Sequence, residues 1–125
     1  MKKIIDVQGS KVYGPYSPGV RSNGVVWLSG QIAPEAGDDT AIQTAASLTK
    51  IDNLLEAAGL TKSAICCVQV LLADIEDFAA MNEVYSNWLG DMEIKPARAA
   101  FQAAALPKEA LVEIVVQATD TSCCE

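Results

Sequence analysis

The chain has 125 residues, half of them hydrophobic, and a formal net charge of −7. This length and composition predict one folded domain over residues 1–125 rather than a disordered chain. The acidic balance argues against binding to nucleic acid or to an anionic membrane surface, because both need basic patches that neutralise phosphates.

The N-terminal segment "MKKIIDVQGS" contains two lysines but lacks the apolar core of a secretory signal. No apolar run in the sequence approaches the roughly 20 residues that a membrane helix needs. We therefore expect a cytoplasmic protein with no membrane partner.

Histidine is absent from the sequence. Its absence removes the commonest general base, the commonest metal ligand and every Ser-His or Cys-His nucleophile scheme.

The four cysteines form two adjacent pairs, Cys66-Cys67 and Cys123-Cys124, without the two-residue gap of zinc or thioredoxin motifs. We interpret them as two strand residues and a frayed tail, and we expect neither a metal site nor a cofactor.

The first half of the chain changes its hydrophobic period once. Residues 4–33 mix apolar runs such as "VVWLSGQIA" with turn residues in "YGPYSPG" and "RSNG", which predicts two strands and an ordered loop. Over 40–58 the apolar residues recur at steps of three and four, which predicts an amphipathic helix. Asp38 or Asp39 can cap its start, and Gly59 can end it.

The second half predicts a strand, a helix and two further strands. "AICCVQVLLAD" is apolar and β-branched enough for a buried strand ending at Asp74. The next helix ends before Gly90 and shows a stripe at steps of three and four: Phe78, Met81, Tyr85 and Trp88. Core packing explains this stripe better than a ligand site. The last two strands are expected at about 98–104 and 111–119, around "LPKE".

This order predicts an α+β fold in which both helices cover one face of a mixed or antiparallel sheet. In the last strand, Val112, Ile114 and Val116 should face the helices, while Glu113 and Val115 should point to the other side. That other side is too apolar to face water comfortably, so we predict a homo-oligomer.

Two charged residues interrupt the apolar C-terminal strands. Burying Arg98 would cost several kcal/mol unless an anion meets it. Arg98 could form an ion pair with Glu113 or another carboxylate, lie exposed at a strand edge, or receive the carboxylate of a small substrate. Glu113 could be structural or solvated, or it could orient a water and transfer protons in a cleft.

The segments "GPYSPG" and "LSGQ" place Tyr16, Ser17 and Ser29 beside glycines, where a ligand can approach the backbone closely. Taken alone, these segments would be turns. Neither is a Walker loop or a dinucleotide-binding fingerprint, so nucleotide binding has no motif support.

Together these motifs closely resemble the RidA family, also called YjgF-type proteins, which are reactive-intermediate (enamine/imine) deaminases. The match covers nearly the whole chain in six ordered blocks: "GPYSPGV" at 14–20, "LSGQI" at 28–32, "NLLEAAGL" at 53–60, "DFAAMNEVYSNW" at 77–88, "PARAAF" at 96–101 and "LPKEALVEIVVQA" at 106–118. No single block is specific, but the ordered set is.

The resemblance implies a chorismate-mutase-like subunit that forms a homotrimer with clefts between neighbouring subunits. It also implies hydrolysis of 2-iminopropanoate and 2-iminobutanoate to 2-keto acids and ammonia, without a cofactor. By the same resemblance, Arg98 would bind the substrate carboxylate, Glu113 would position the attacking water, and Tyr16 and Ser29 would line the cleft.

The sequence departs from the family pattern at two places. Ala100 occupies the substrate-binding position at which many members carry a cysteine, so a thiol-dependent role there is lost. Pro18-Gly19 replaces a commoner glutamine-alanine and is expected to change the loop's shape. Neither departure touches Arg98 or Glu113, so the implied deaminase chemistry stands while the preferred imine stays open.

Three other functions remain open at this point. The same trimer could bind a small carboxylate, such as a 2-keto acid, without catalysis, and then Glu113 should matter far less than Arg98. Some relatives have been described as RNA-cleaving translation inhibitors, a role that the acidic charge and missing histidine disfavour. Others have been described as chaperones under oxidative stress.

Overall fold

The computed structural model describes residues 1–120, so the prediction for Cys123-Cys124 lies outside the described residues. The described chain forms these elements in order: β1 Lys3–Ile5, β2 Gly19–Ser22, β3 Val25–Leu28, α1 Thr40–Ala57, β4 Ile65–Leu72, α2 Phe78–Leu89, β5 Ala97–Gln102 and β6 Val112–Thr119. This is the α+β arrangement that the sequence predicts. Two strands are predicted before α1, but the structure has three, and β1 is the additional one. The prediction of two strands is therefore wrong. The three residues of β1 are too few to show an alternating pattern.

All six of these strands join one mixed sheet in the order β1-β2-β3-β6-β4-β5. Only β4 and β5 run parallel, with Val68 opposite Arg98, and their connection passes through α2. The two C-terminal strands do not pair with each other, because β4 lies between them. β5 is therefore an edge strand, and it ends at Gln102 rather than at the predicted Ala104.

The caps of α1 follow local chemistry. Of the two predicted candidates it is Asp39 that caps the helix, since its carboxylate accepts hydrogen bonds from Ala41 N at 2.7 Å and Ile42 N at 3.2 Å. The helix ends at Ala57, and Gly59 follows with a φ of 77°. That left-handed conformation favours glycine, which explains why the helix stops here.

The core lies between the two helices and the sheet. Its fully buried side chains come from both layers and include Leu48, Ile51, Leu55, Met81, Val26, Val68, Val70, Leu72, Val112, Ile114 and Val116. Each contributes about 1.5–3 kcal/mol by leaving water. The alternation along β6 is as predicted, since every second residue is buried and Glu113 and Val115 are half-buried on the other side.

The sheet face opposite the helices, called the open face below, carries apolar side chains. Cross-strand partners share a face, so Leu71 of β4 places Glu113 and Phe101 on this side. Trp27 and Phe101 remain 47% and 44% exposed. The homo-oligomer predicted to cover this face stays a prediction.

Within residues 1–120, neither helix combines the length and apolar character needed to cross a bilayer. The cytoplasmic location predicted from the sequence stays a prediction.

Candidate functional site

A cavity of about 800 Å³ opens beside the N-terminal end of β6. Its walls come from the loop between β1 and β2, the segment after β3, and one side of α1. The lining includes three residues that the sequence analysis selected, Tyr16, Ser29 and Glu113. This volume is ample for a small organic acid.

Glu113 is held against Gly30 at the cavity wall. A Cβ atom on Gly30 would lie 2.0 Å from Glu113 Oε2 and 2.9 Å from its Cδ. Any larger residue at this position would therefore displace the carboxylate. Gly30 is needed because it lacks a side chain, and this explains the glycine in "LSGQ".

The environment of Glu113 favours its protonated form. Burial raises the pKa of the Glu113 carboxyl above its ordinary value, because a partly desolvated carboxylate loses hydration. A carboxyl with a raised pKa is better suited to accept and return a proton near neutral pH than an ordinary surface glutamate.

Ser29 and Tyr16 fix the loop that borders Glu113. The Ser29 hydroxyl donates to the carbonyl of Ser17 at 2.6 Å, and Ser29 N donates to Pro18 O at 2.9 Å. The Tyr16 hydroxyl accepts from Tyr13 N at 3.2 Å, while the Tyr16 side chain remains 45% exposed. This part of the cavity thus presents hydroxyl groups and backbone polar groups beside the Glu113 carboxyl.

An ion pair that the sequence analysis missed occupies another part of the wall. Lys50 of α1 donates to the carbonyl of Ile32 at 2.6 Å and forms an ion pair with Glu35. The Lys50 hydrogen bond holds the pKa of Glu35 below its usual value. The pair joins α1 to the segment after β3, and its partners lie 15 residues apart, so no local pattern indicates it.

Arg98 and Ala100 lie on β5, and neither is among the residues lining the cavity. Because Arg98 pairs with Val68, which pairs with Val116, its side chain is on the helix side of the sheet. Glu113 is on the open face. The alternative of an Arg98–Glu113 ion pair is therefore wrong within one chain.

Arg98 is held by neutral groups of α2. Its Nη1 donates to Asn82 Oδ1 at 2.6 Å. Its guanidinium carbon lies 4.8 Å from the ring centre of Tyr85 and 5.6 Å from that of Phe78. The aromatic stripe of α2 thus does more than fill the core, a role that the sequence analysis did not assign.

Among residues 1–120, no group of three or more His, Cys, Asp and Glu side chains is close enough to hold a metal ion. Cys66 and Cys67 are free thiols on β4, in agreement with their interpretation as strand residues.

A six-stranded mixed sheet covered by two helices, with a partly buried carboxyl group in a cavity beside the central strand, defines a small α+β protein. Residues 8–120 match the family model described as Endoribonuclease L-PSP. The chain belongs to this family, which is the RidA/YjgF family indicated by its motifs.

The similar proteins include named deaminases. The 2-iminobutanoate/2-iminopropanoate deaminase of Bos taurus is 38% identical over 121 residues, covering 91% of this chain and 87% of the relative. The crystal structure of E. coli TdcF with bound serine has a TM-score of 0.85 at 35% identity, covering 94% and 98% of the two chains. The crystal structure of the E. coli YjgF gene product has a TM-score of 0.84 at 33% identity, and it also covers 94% of this chain and 98% of the other. These relatives support reactive-intermediate deamination at the level of the family.

Proposed function

We propose that this protein hydrolyses 2-iminopropanoate and 2-iminobutanoate to 2-keto acids and ammonia without a cofactor. The observation that carries the proposal is the Glu113 carboxyl, partly desolvated at the wall of a cavity and seated against Gly30. The similarity to the bovine deaminase supports the substrate class.

The reaction needs acid–base chemistry but no nucleophilic side chain. Glu113 accepts a proton from a water molecule as the water oxygen bonds to the electrophilic imine carbon, and it returns this proton to the nitrogen, which takes up the π electrons of the C=N bond. In the resulting carbinolamine, Glu113 accepts the hydroxyl proton as the C=O bond forms and passes it to nitrogen as the C–N bond breaks, so that ammonia leaves and Glu113 is ionised again. The protein contributes orientation and charge placement, which can account for large rate effects.

The proposed site needs a second copy of the chain. Arg98 is the residue expected to bind the substrate carboxylate, but it lies on the opposite side of the sheet from Glu113. In a homotrimer, the β5 edge of one subunit would bring Arg98 to the cavity of its neighbour. The exposed Trp27 and Phe101 of the open face support such an assembly, since contact with another subunit would remove them from water.

Turnover can be tested with an imine that a second enzyme generates in the assay mixture. A threonine dehydratase generates 2-iminobutanoate, and semicarbazide traps the imine before it hydrolyses in water. Adding this protein is expected to reduce the trapped product in proportion to its concentration, with 2-oxobutanoate formed in equal amount. A trapping rate unchanged at micromolar protein would contradict the proposal. The control is heat-unfolded protein at the same concentration.

RNA cleavage is a weaker alternative, despite the description of the family model. The net charge of −7 opposes phosphate binding, and the sequence contains no histidine for acid–base cleavage.

A further inference from the structure

Three side chains on one side of α2 surround Arg98 of β5. Asn82 accepts its hydrogen bond at 2.6 Å, and the rings of Phe78 and Tyr85 lie within 5.6 Å and 4.8 Å of its guanidinium carbon. These residues are spaced four and three apart, which places them on one face of a helix. We call this set the α2 clamp.

The α2 clamp carries no formal charge. The ion pairs recorded among residues 1–120 join Arg21 to Asp120 and Lys50 to Glu35, and neither involves Arg98. A half-buried arginine is usually paired with a carboxylate, because the attraction offsets its desolvation. Here an amide oxygen and two aromatic faces replace that carboxylate.

A neutral clamp has a specific electrostatic consequence. An amide oxygen orients the guanidinium through one hydrogen bond but leaves its positive charge uncompensated. A carboxylate at the same place would neutralise that charge and occupy the donors that an incoming anion needs. The half-buried position strengthens this effect, because water screens the charge less there than at an exposed site.

We propose that Asn82 is a positioning residue that holds the Arg98 guanidinium by a neutral contact and so keeps its charge available for the carboxylate of a 2-imino or 2-keto acid. The identity of the anion as substrate rests on the proposed function, whereas the neutral holding of Arg98 does not. The rings of Phe78 and Tyr85 limit the rotation of the Arg98 guanidinium group. The hydrogen bond to Asn82 therefore sets the direction in which the remaining guanidinium N–H donors point.

The test compares Asn82→Asp, Asn82→Ala and the matched control Asn87→Asp. Asn87 is exposed on the same helix, so its substitution adds the same charge without touching Arg98. Binding of 2-oxobutanoate is measured by calorimetry, and KM and kcat are measured for the imine. Thermal unfolding of each variant shows whether it is folded.

We expect Asn82→Asp to raise the Kd of 2-oxobutanoate by about tenfold or more, Asn82→Ala by about threefold to tenfold, and Asn87→Asp by less than about twofold. The loss in Asn82→Asp should appear in KM more than in kcat. Its unfolding temperature should not fall, since the new carboxylate pairs with Arg98. A purely structural role for Asn82 predicts instead that alanine is the more damaging change and that stability falls with it.

The outcomes separate this inference from the proposed function. If Asn82→Asp binds 2-oxobutanoate as tightly as the wild type, or if the wild type does not bind it at millimolar concentration, the inference is overturned. If Asn82→Asp does not fold, the same comparison is made with Asn82→Ala, and unchanged binding overturns it equally. If binding depends on Asn82 as expected but no imine is turned over, the inference stands and the deaminase proposal fails.

Discussion

Replacing Arg98 with alanine is expected to slow 2-iminobutanoate turnover by about 30-fold to 1000-fold, which corresponds to about 2 to 4 kcal/mol of transition-state stabilisation. The guanidinium is the proposed anchor for the substrate carboxylate, and a short apolar residue cannot replace its two parallel hydrogen bonds. The measurement is kcat/KM in the coupled dehydratase assay.

The fold should survive this substitution. Arg98 lies half-buried on an edge strand, and its hydrogen bond to Asn82 joins it to a neighbouring helix rather than to the core. Arg98→Lys is the matched control, since it keeps the charge but loses the planar fork, and it should retain more activity than alanine. Turnover by Arg98→Ala at the wild-type rate, with normal thermal unfolding, would refute the assignment of Arg98.

Replacing Glu113 with glutamine is expected to lower kcat by about 100-fold to 1000-fold, within the usual range for a general acid–base group. Glutamine keeps the size of the side chain and its place against Gly30, but it cannot accept the proton of the attacking water. The effect should fall on kcat, while the Kd of 2-oxobutanoate should change little.

The pH dependence of the turnover rate provides a second test of Glu113. Because burial raises the pKa of Glu113, the wild-type rate should fall on the acid side at a pH above the ordinary glutamate range, as the carboxylate becomes protonated. That limb should be absent in Glu113→Gln. An acid limb that persists unchanged in the variant would show that another group carries it.

The change in folding stability caused by Glu113→Gln has a predictable direction. A carboxyl whose pKa is raised by folding stabilises the folded state below its unfolded pKa, and this contribution is lost as the pH rises through the folded pKa. Above its folded pKa, the ionised Glu113 carboxylate therefore opposes folding. Glu113→Gln should unfold at the same or a higher temperature than the wild type there, so its lost activity cannot come from unfolding.

The same variant separates catalysis from binding alone. A non-catalytic 2-keto acid binder would use Arg98 as an anchor but would require little of Glu113. It would show no imine turnover in the wild type and unchanged ligand binding in Glu113→Gln. The deaminase account requires turnover in the wild type and its loss in the variant, with binding retained.

The helices and the inner face of the sheet were predictable because their signals are local. Apolar steps of three and four marked α1 and α2, and strict alternation placed Val112, Ile114 and Val116 toward the helices. The cap at Asp39 and the helix end before Gly59 follow from the chemistry of single residues.

Long-range pairing could not be predicted in the same way. The "LPKE" turn joins two strands that are consecutive in the sequence, but β4 lies between them in the sheet, and the register places Arg98 and Glu113 on opposite faces. The contacts of Arg98 with Asn82 and of Lys50 with Glu35 join residues that lie 16 and 15 positions apart on different elements. Such contacts depend on tertiary packing and leave no periodic signal in the sequence.

The central claim is that Arg98 of one subunit and Glu113 of another form one active cleft. Arg98→Ala and Glu113→Gln are each expected to be nearly inactive, and they can be mixed, unfolded and refolded together. Random trimers should regain about a quarter of the wild-type rate, because roughly three in four are mixed and each of these holds one intact cleft of three. Separately refolded variants, combined afterwards without unfolding, are the control. No recovery above that control, with wild-type protein refolding to full activity, would contradict a cleft shared between subunits.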